Sequence, residues 1–113
     1  MKIDHYSFGK IVINGKTYTS DVIIYPDHLD SSWWRKEGHY LQPVDLEKAL
    51  NAKPDLLIIG TGYSGVMVVP DGTILFIKSK GVEALVERTE KAVELYNTLS
   101  KAKKVVAALH LTC

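Results

Sequence analysis

The stretch Val82–Leu111, VEALVERTEKAVELYNTLSKAKKVVAALHL, decides the fold. It opens on Val82–Val86, a short aliphatic run, and closes on Val105–Leu111, which is apolar almost throughout. A run of the second kind is how a strand buried on both faces reads. Between the two, Ala92, Val93, Tyr96, Leu99 and Ala102 recur at helical spacing. The spacing predicts a helix over 90–102, with Thr89 as its N-cap and Glu90 at the positive end of the helix dipole. Strand, helix, strand is a βαβ unit, which predicts a parallel sheet and a right-handed crossover.

Working outward, Leu56-Leu57-Ile58-Ile59 lies between Pro54 and Gly60 and reads as another strand buried on both faces. Leu46, Ala49 and Leu50, with Asp45 in the first turn, predict a short helix ended by Pro54. The first 26 residues read as β. Ile11-Val12-Ile13 and the stretch Tyr18–Tyr25 flank Asn14-Gly15, the strongest two-residue hairpin signal, and Pro26 stops the second strand. Residues 27–43 are rich in turn formers and read as irregular. Residues 66–80 fit two readings: a hairpin about Pro70-Asp71-Gly72, or a helix from Asp71 stopped by Gly81. Parallel neighbours need a crossover, which favours the helix.

The whole is one α/β domain over residues 1–113. A chain of this length buries roughly 65% of its unfolded surface, so it needs no disulfide or metal to fold. Charge is balanced, with 14 basic and 13 acidic residues. Residues 1–57 carry 7 basic and 8 acidic residues, and residues 58–113 carry 7 and 5. Such balance argues against nucleic-acid binding and membrane-surface binding, both of which need a one-sided field. No apolar run approaches the ~20 residues that span a bilayer. The N-terminus lacks a signal-peptide core and Cys113 is the only cysteine, so the expected setting is cytoplasmic.

Three groups of residues could carry chemistry. Gly60-Thr61-Gly62-Tyr63-Ser64-Gly65 matches G-x-G-x-x-G after a buried strand. A dinucleotide fingerprint must also open a helix, yet Val66-Met67-Val68-Val69 follows, and Glu83 and Glu87 only approximate the required acidic position. No cofactor is expected. The glycines either make a tight strand exit or expose backbone N–H groups to a small anion or carboxylate. The second group, Trp33-Trp34-Arg35 with Gly38-His39, is a candidate surface for a protein partner, because Trp and Arg are enriched at binding hot spots. The bland alternative has one Trp plugging the core edge and Arg35 in an ordinary ion pair. The third is His110-Leu111-Thr112-Cys113. A thiolate there would sit beside the chain's own carboxylate, which disfavours it as a nucleophile. The histidines at 5, 28, 39 and 110 lack ligand spacing, so no metal is expected. No paired carboxylates, Ser-His-Asp order or P-loop is evident, so no catalytic residue is assigned.

Phe8-Gly9, Trp34-Arg35, Gly38-His39, Ile58-Ile59-Gly60-Thr61-Gly62, Pro70, Gly81, Thr89, Tyr96-Asn97-x-Leu99 and His110-Leu111-Thr112-Cys113 occur in this order. Together they resemble a family of small hypothetical proteins of archaea and bacteria. Its relatives are the adipogenesis-associated domain protein and mitochondrial respiratory complex I assembly factor 3. The resemblance implies three layers: an antiparallel β layer packed on a mixed, mostly parallel sheet covered by helices. It also implies that residues 71–80 are helical. It implies no reaction and no cofactor, and its assembly-factor relatives point to protein–protein work. The resulting expectation is a non-catalytic binding or assembly module meeting a protein through Trp33, Trp34, Arg35 and His39. The alternative is a small-molecule or anion binder, possibly an enzyme, using Gly60–Gly65 with Arg35 and His110 at the rim.

Overall fold

A computed structural model of residues 1–113 places the apolar runs in two sheets. Strands β1 (Ile3–Ser7), β2 (Lys10–Ile13) and β3 (Lys16–Tyr18) form an antiparallel meander. Its β2–β3 turn is Asn14-Gly15, with φ of 50° and 80°. That is the doubly positive pair a tight hairpin requires. The second sheet has five strands in the order β5-β4-β8-β6-β7. These are β4 (Val22–Ile24), β5 (Leu29–Asp30), β6 (Leu56–Gly60), β7 (Glu83–Glu87) and β8 (Val105–Leu109). Strand β6 runs parallel to β7 and to β8, while β4 runs antiparallel to β8 and β5. The three runs assigned to one largely parallel sheet share it.

Three helices complete the fold. Helix α1 (Glu47–Asn51) continues a 3₁₀ turn over Pro43–Leu46, and α2 (Asp71–Ser79) links β6 to β7. Gly81, at φ 76°, lies just past the end of α2, so the helical reading of residues 71–80 holds. Helix α3 (Thr89–Leu99) returns the chain from β7 to β8. The two crossovers step across the sheet in opposite directions and lie on opposite faces, which gives them the same hand.

The layers follow from strand alternation. Leu56, Ile58, Val105, Ala107 and Leu109 face Ile3, Ile11, Ile13, Ala92 and Tyr96, so α3 and the antiparallel sheet share one side. Leu57, Ile59, Val106 and Ala108 face the other side, under Trp33, Leu46, Leu50 and Ile77. Asn97 of α3 clamps β1, accepting the Ile3 N–H at 2.9 Å and donating to its carbonyl at 2.8 Å.

Three local expectations are corrected. Helix α3 ends at Leu99 rather than at residue 102, and Ala102 lies in the turn that follows. The stretch Tyr18–Tyr25 is not one strand, because the chain leaves the first sheet after Tyr18 and enters the second at Val22. The break contains Asp21, whose carboxylate is engaged elsewhere, as described below. Thr89 is not the N-cap of α3; Arg88 holds that position without a side-chain cap. The Thr89 hydroxyl is buried, donates to the His110 carbonyl at 2.6 Å and accepts the Gly62 N–H at 2.8 Å.

Ile58 is fully buried in the central part of the sheet. Its replacement, Ile58→Ala, removes core contacts and leaves a cavity. The expected cost is about 2–5 kcal/mol, read as a lower urea midpoint at unchanged denaturant slope.

Candidate functional site

The carboxyl ends of β6 and β8 lie side by side, because the two strands are parallel. Three of the singled-out segments meet there: the turn after β6, the end of β8, and the loop containing Trp33–His39. Asp21, which the sequence reading did not single out, joins the last two. Its Oδ1 accepts the Leu111 N–H at 2.7 Å. Its Oδ2 lies 2.8 Å from His110 Nδ1 and 2.9 Å from Arg35 Nη1. Arg35 also donates from Nε and Nη2 to the Gly38 carbonyl, at 3.1 and 2.9 Å, which closes the loop on itself. The guanidinium carbon lies 4.5 Å from the Trp33 ring centre, a cation–π contact.

His110 Nδ1 faces both Asp21 Oδ2 and Arg35 Nη2, the latter at 3.1 Å. It can donate to the carboxylate or accept from the guanidinium, not both. The shorter contact to a full negative charge favours Nδ1–H donating to Asp21, with Arg35 Nη2 resting on Gly38. Nε2 is then an acceptor, and it is buried without a partner in the chain. The His39 ring packs edge-on against His110, with centres 5.3 Å apart. Burial opposes ionisation of Asp21, but hydrogen bonds from His110, the Leu111 N–H and Arg35 outweigh it. The carboxyl is held below the usual carboxylate range.

The glycine turn is closed rather than open. The N–H groups of Thr61 and Gly62 bond Glu87 O and Thr89 Oγ1. Those of Tyr63, Ser64 and Val66 bond Thr112 O, Cys113 O and Cys113 O at 2.7, 3.2 and 3.0 Å. The Gly65 N–H bonds Gly62 O. Gly62 takes φ +109° with the backbone of residues 112–113 lying against its α-carbon. The concavity proposed at Gly60–Gly65 for an anion is therefore filled by the chain itself, and its donors are taken. Neither the hollow beside the Trp33–Trp34 loop nor the one beside Asn97 and Lys101 touches it. His110 adjoins the turn through its N–H to the Gly60 carbonyl, 3.0 Å. Arg35 is committed to Asp21 and Gly38. Tyr63 packs against Phe8 instead of closing a pocket, and the Tyr63 carbonyl takes both Arg88 donors.

A hollow of about 690 Å³ lies between the Trp33–Trp34 loop and α1. Its walls are Ile23, Tyr25, Trp33, Trp34, Pro43 and Val44, with Asp30, Lys36, Glu47 and Lys48 among its polar residues. Trp33 is buried and donates from Nε1 to the Asp45 carbonyl at 3.1 Å. Trp34 is 76% exposed. One tryptophan thus plugs the core edge while its neighbour stands in solvent. Nowhere do three His, Cys, Asp or Glu side chains come together as a metal site needs. Cys113 is exposed.

Residues 3–110 match the family described as "Protein of unknown function (DUF498/DUF598)", and the chain belongs to it. Solved structures share the fold. A conserved hypothetical protein of Pyrococcus horikoshii is 29% identical over 100% of both chains, with a TM-score of 0.86. A Bartonella henselae protein described as an outer membrane protein is 20% identical over 98% of this chain and 94% of its own, with a TM-score of 0.82. A Bordetella pertussis protein described as a Mth938-like domain is 18% identical over 97% of this chain and 85% of its own, with a TM-score of 0.67. At those identities the last two carry the fold alone. In this chain no helix is long and apolar enough to cross a membrane.

Two predictions test the site. Gly62→Ala places a Cβ 2.6 Å from Cys113 O and 2.7 Å from Thr112 O, at a φ unsuited to alanine. The expected result is a loss of about 1–3 kcal/mol and faster amide exchange at Tyr63 and Val66. Asp21→Asn leaves Arg35 and His110 facing a neutral amide. At neutral pH it should cost about 2–3 kcal/mol, somewhat below the figure for a fully buried pair because Asp21 is partly exposed. The pH dependence has a definite sign. A depressed carboxyl stabilises the fold above its unfolded value of ~3.9, and this is lost as pH falls through the lower folded value. Wild type and Asp21→Asn should therefore converge in stability below about pH 4, as denaturant titrations at stepped pH would show.

Proposed function

We propose that this protein is a non-catalytic binding module that takes a protein partner on the Trp33–His39 loop and the adjoining cleft. The observation that carries the reading is Trp34, 76% exposed on a loop whose next residue, Arg35, is anchored by Asp21 and Gly38. An exposed tryptophan on a fixed support loses little conformational freedom when a partner covers it. Other large apolar side chains reach solvent on the residues that follow this loop or pair with it. Val44 is 55% exposed on the cleft wall, and Tyr40 and Val68 are exposed and joined by a parallel bridge. Apolar groups gathered on a supported surface mark interaction sites. The resemblance to assembly factors points the same way, and a cytoplasmic setting is part of the proposal.

A second reading rests on the cleft itself, whose 690 Å³ falls within the ~300–1,000 Å³ of small-molecule sites. Its aromatic walls suit a flat organic ligand better than a bare anion.

Trp34→Ala and the control Leu75→Ala, which lies outside the cleft lining, separate the readings, since both residues are exposed and neither substitution should unfold the domain. In affinity capture with in-cell crosslinking, the partner held by wild type should be kept by Leu75→Ala and lost by Trp34→Ala, while melting temperatures stay within about 2 °C. An identical captured set for all three chains overturns the protein-partner reading. A ligand that raises the melting temperature of wild type but not of Trp34→Ala establishes the small-molecule one.

A further inference from the structure

The five-stranded sheet ends on one side at β7, whereas the Trp33 loop follows β5 at the opposite edge. Strand β7 pairs only with β6. The Glu83 N–H bonds Asp55 O, and Glu87 O accepts the Thr61 N–H. In a parallel ladder the inward-bonding residues alternate, so Glu83, Leu85 and Glu87 bond towards β6. The main-chain N–H and C=O groups of Ala84 and Val86 point outward. Side chains alternate as well. Ala84 and Val86 pack towards α2, whereas Leu85 is half-buried on the α3 side between the exposed Glu83 and Glu87. Glu87 makes no ion pair, and Glu83 has only a loose one, 3.7 Å to the exposed Lys103. The neighbouring Arg88 is occupied by the Tyr63 carbonyl.

We propose that the free edge of β7 is a docking strand for an extended segment of a partner protein with the pattern basic–x–apolar–x–basic. Such a segment adds a sixth strand by pairing with the outward groups of Ala84 and Val86. Its alternate side chains then fall opposite Glu83, Leu85 and Glu87, where opposite charges attract and the apolar residue covers Leu85. The pattern is symmetric, so it serves either strand direction. A second copy of this chain is disfavoured as occupant, because antiparallel self-pairing about Leu85 sets Glu83 against Glu87 at both ends. This surface is separate from the Trp34 surface, and either can fail alone.

The test uses a synthetic peptide with the core Arg-Thr-Val-Thr-Arg, its counterpart Glu-Thr-Val-Thr-Glu, and the full chain. On saturation, the basic peptide should slow amide exchange at Ala84 and Val86 about tenfold or more and leave the Trp34 region unchanged. The acidic peptide should bind roughly tenfold more weakly, from two cross-strand charge pairs. The double variant Glu83→Lys/Glu87→Lys should reverse that preference. If it folds poorly, Glu83→Gln/Glu87→Gln should abolish the difference between the peptides. Unchanged exchange at Ala84 and Val86, equal affinity for the two peptides, or self-association through β7 overturns the proposal.

Discussion

The Asp21 carboxylate accepts the Leu111 N–H with one oxygen and faces His110 and Arg35 with the other. Three segments distant in the chain are fixed by that one side chain: the entry to β4, the Trp33–His39 loop, and the residues that follow β8. Arg35 and His110 have side chains only 6% and 5% exposed, so their partner cannot be replaced by bulk water. An interior charge cluster adds little net stability over an apolar filling of the same shape, but removing one member leaves the others unpaired. Its effect is specificity of position. It fixes where the loop lies on the sheet, and with it where Trp34 stands.

The glycine turn depends on the same arrangement one step removed. Asp21 and the Tyr6 hydroxyl, which donates to the Leu111 carbonyl at 2.8 Å, hold the chain as it leaves β8. Burial pushes the Tyr6 phenol up to about 12, so it stays a donor across the physiological range. The segment so held delivers the carbonyls of Thr112 and Cys113 to the N–H groups of Tyr63, Ser64 and Val66. Gly60 and Gly62 are glycines because two pieces of protein come close there. A Cβ at 60 would lie 2.8 Å from Thr89 Oγ1, and one at 62 would overlap residues 112–113. Thr89 completes the joint by bridging the Gly62 N–H and the His110 carbonyl.

The elements with strong local periodicity were legible in the sequence: the Asn14-Gly15 hairpin, the buried runs of β6 and β8, and helix α3. Each is specified by neighbours in the chain. The site was less legible because its bonds are long-range. A glycine-rich strand exit looks the same whether its donors meet a ligand or residues about fifty positions onward, as Tyr63 meets Thr112. Asp21 did leave a trace, as the one charged residue inside the apolar stretch Tyr18–Tyr25. An ionisable residue that interrupts a strand pattern has either a solvent-facing position or a buried partner, and Arg35 and His110 were the partners. Thr89 misled in the opposite way. Its residue type and position fit an N-cap, but burial made its hydroxyl more useful as a bridge between two strand exits.

The two edges of the large sheet are built on opposite principles. Strand β5 has only two residues, and the Trp33 loop continues from it, so that edge offers a side-chain surface with little free main chain. Strand β7 keeps five residues in register with β6 and carries charge at both ends instead of bulk. A side-chain surface recognises a partner by shape and aromatic contact, whereas a free strand edge recognises main chain and reads side chains only at alternate positions. Burial of the central strands on both faces makes this division possible. Strands β6 and β8 hold the core without exposing a face, which leaves the edges and the strand-end loops as the parts of the sheet open to selection for binding.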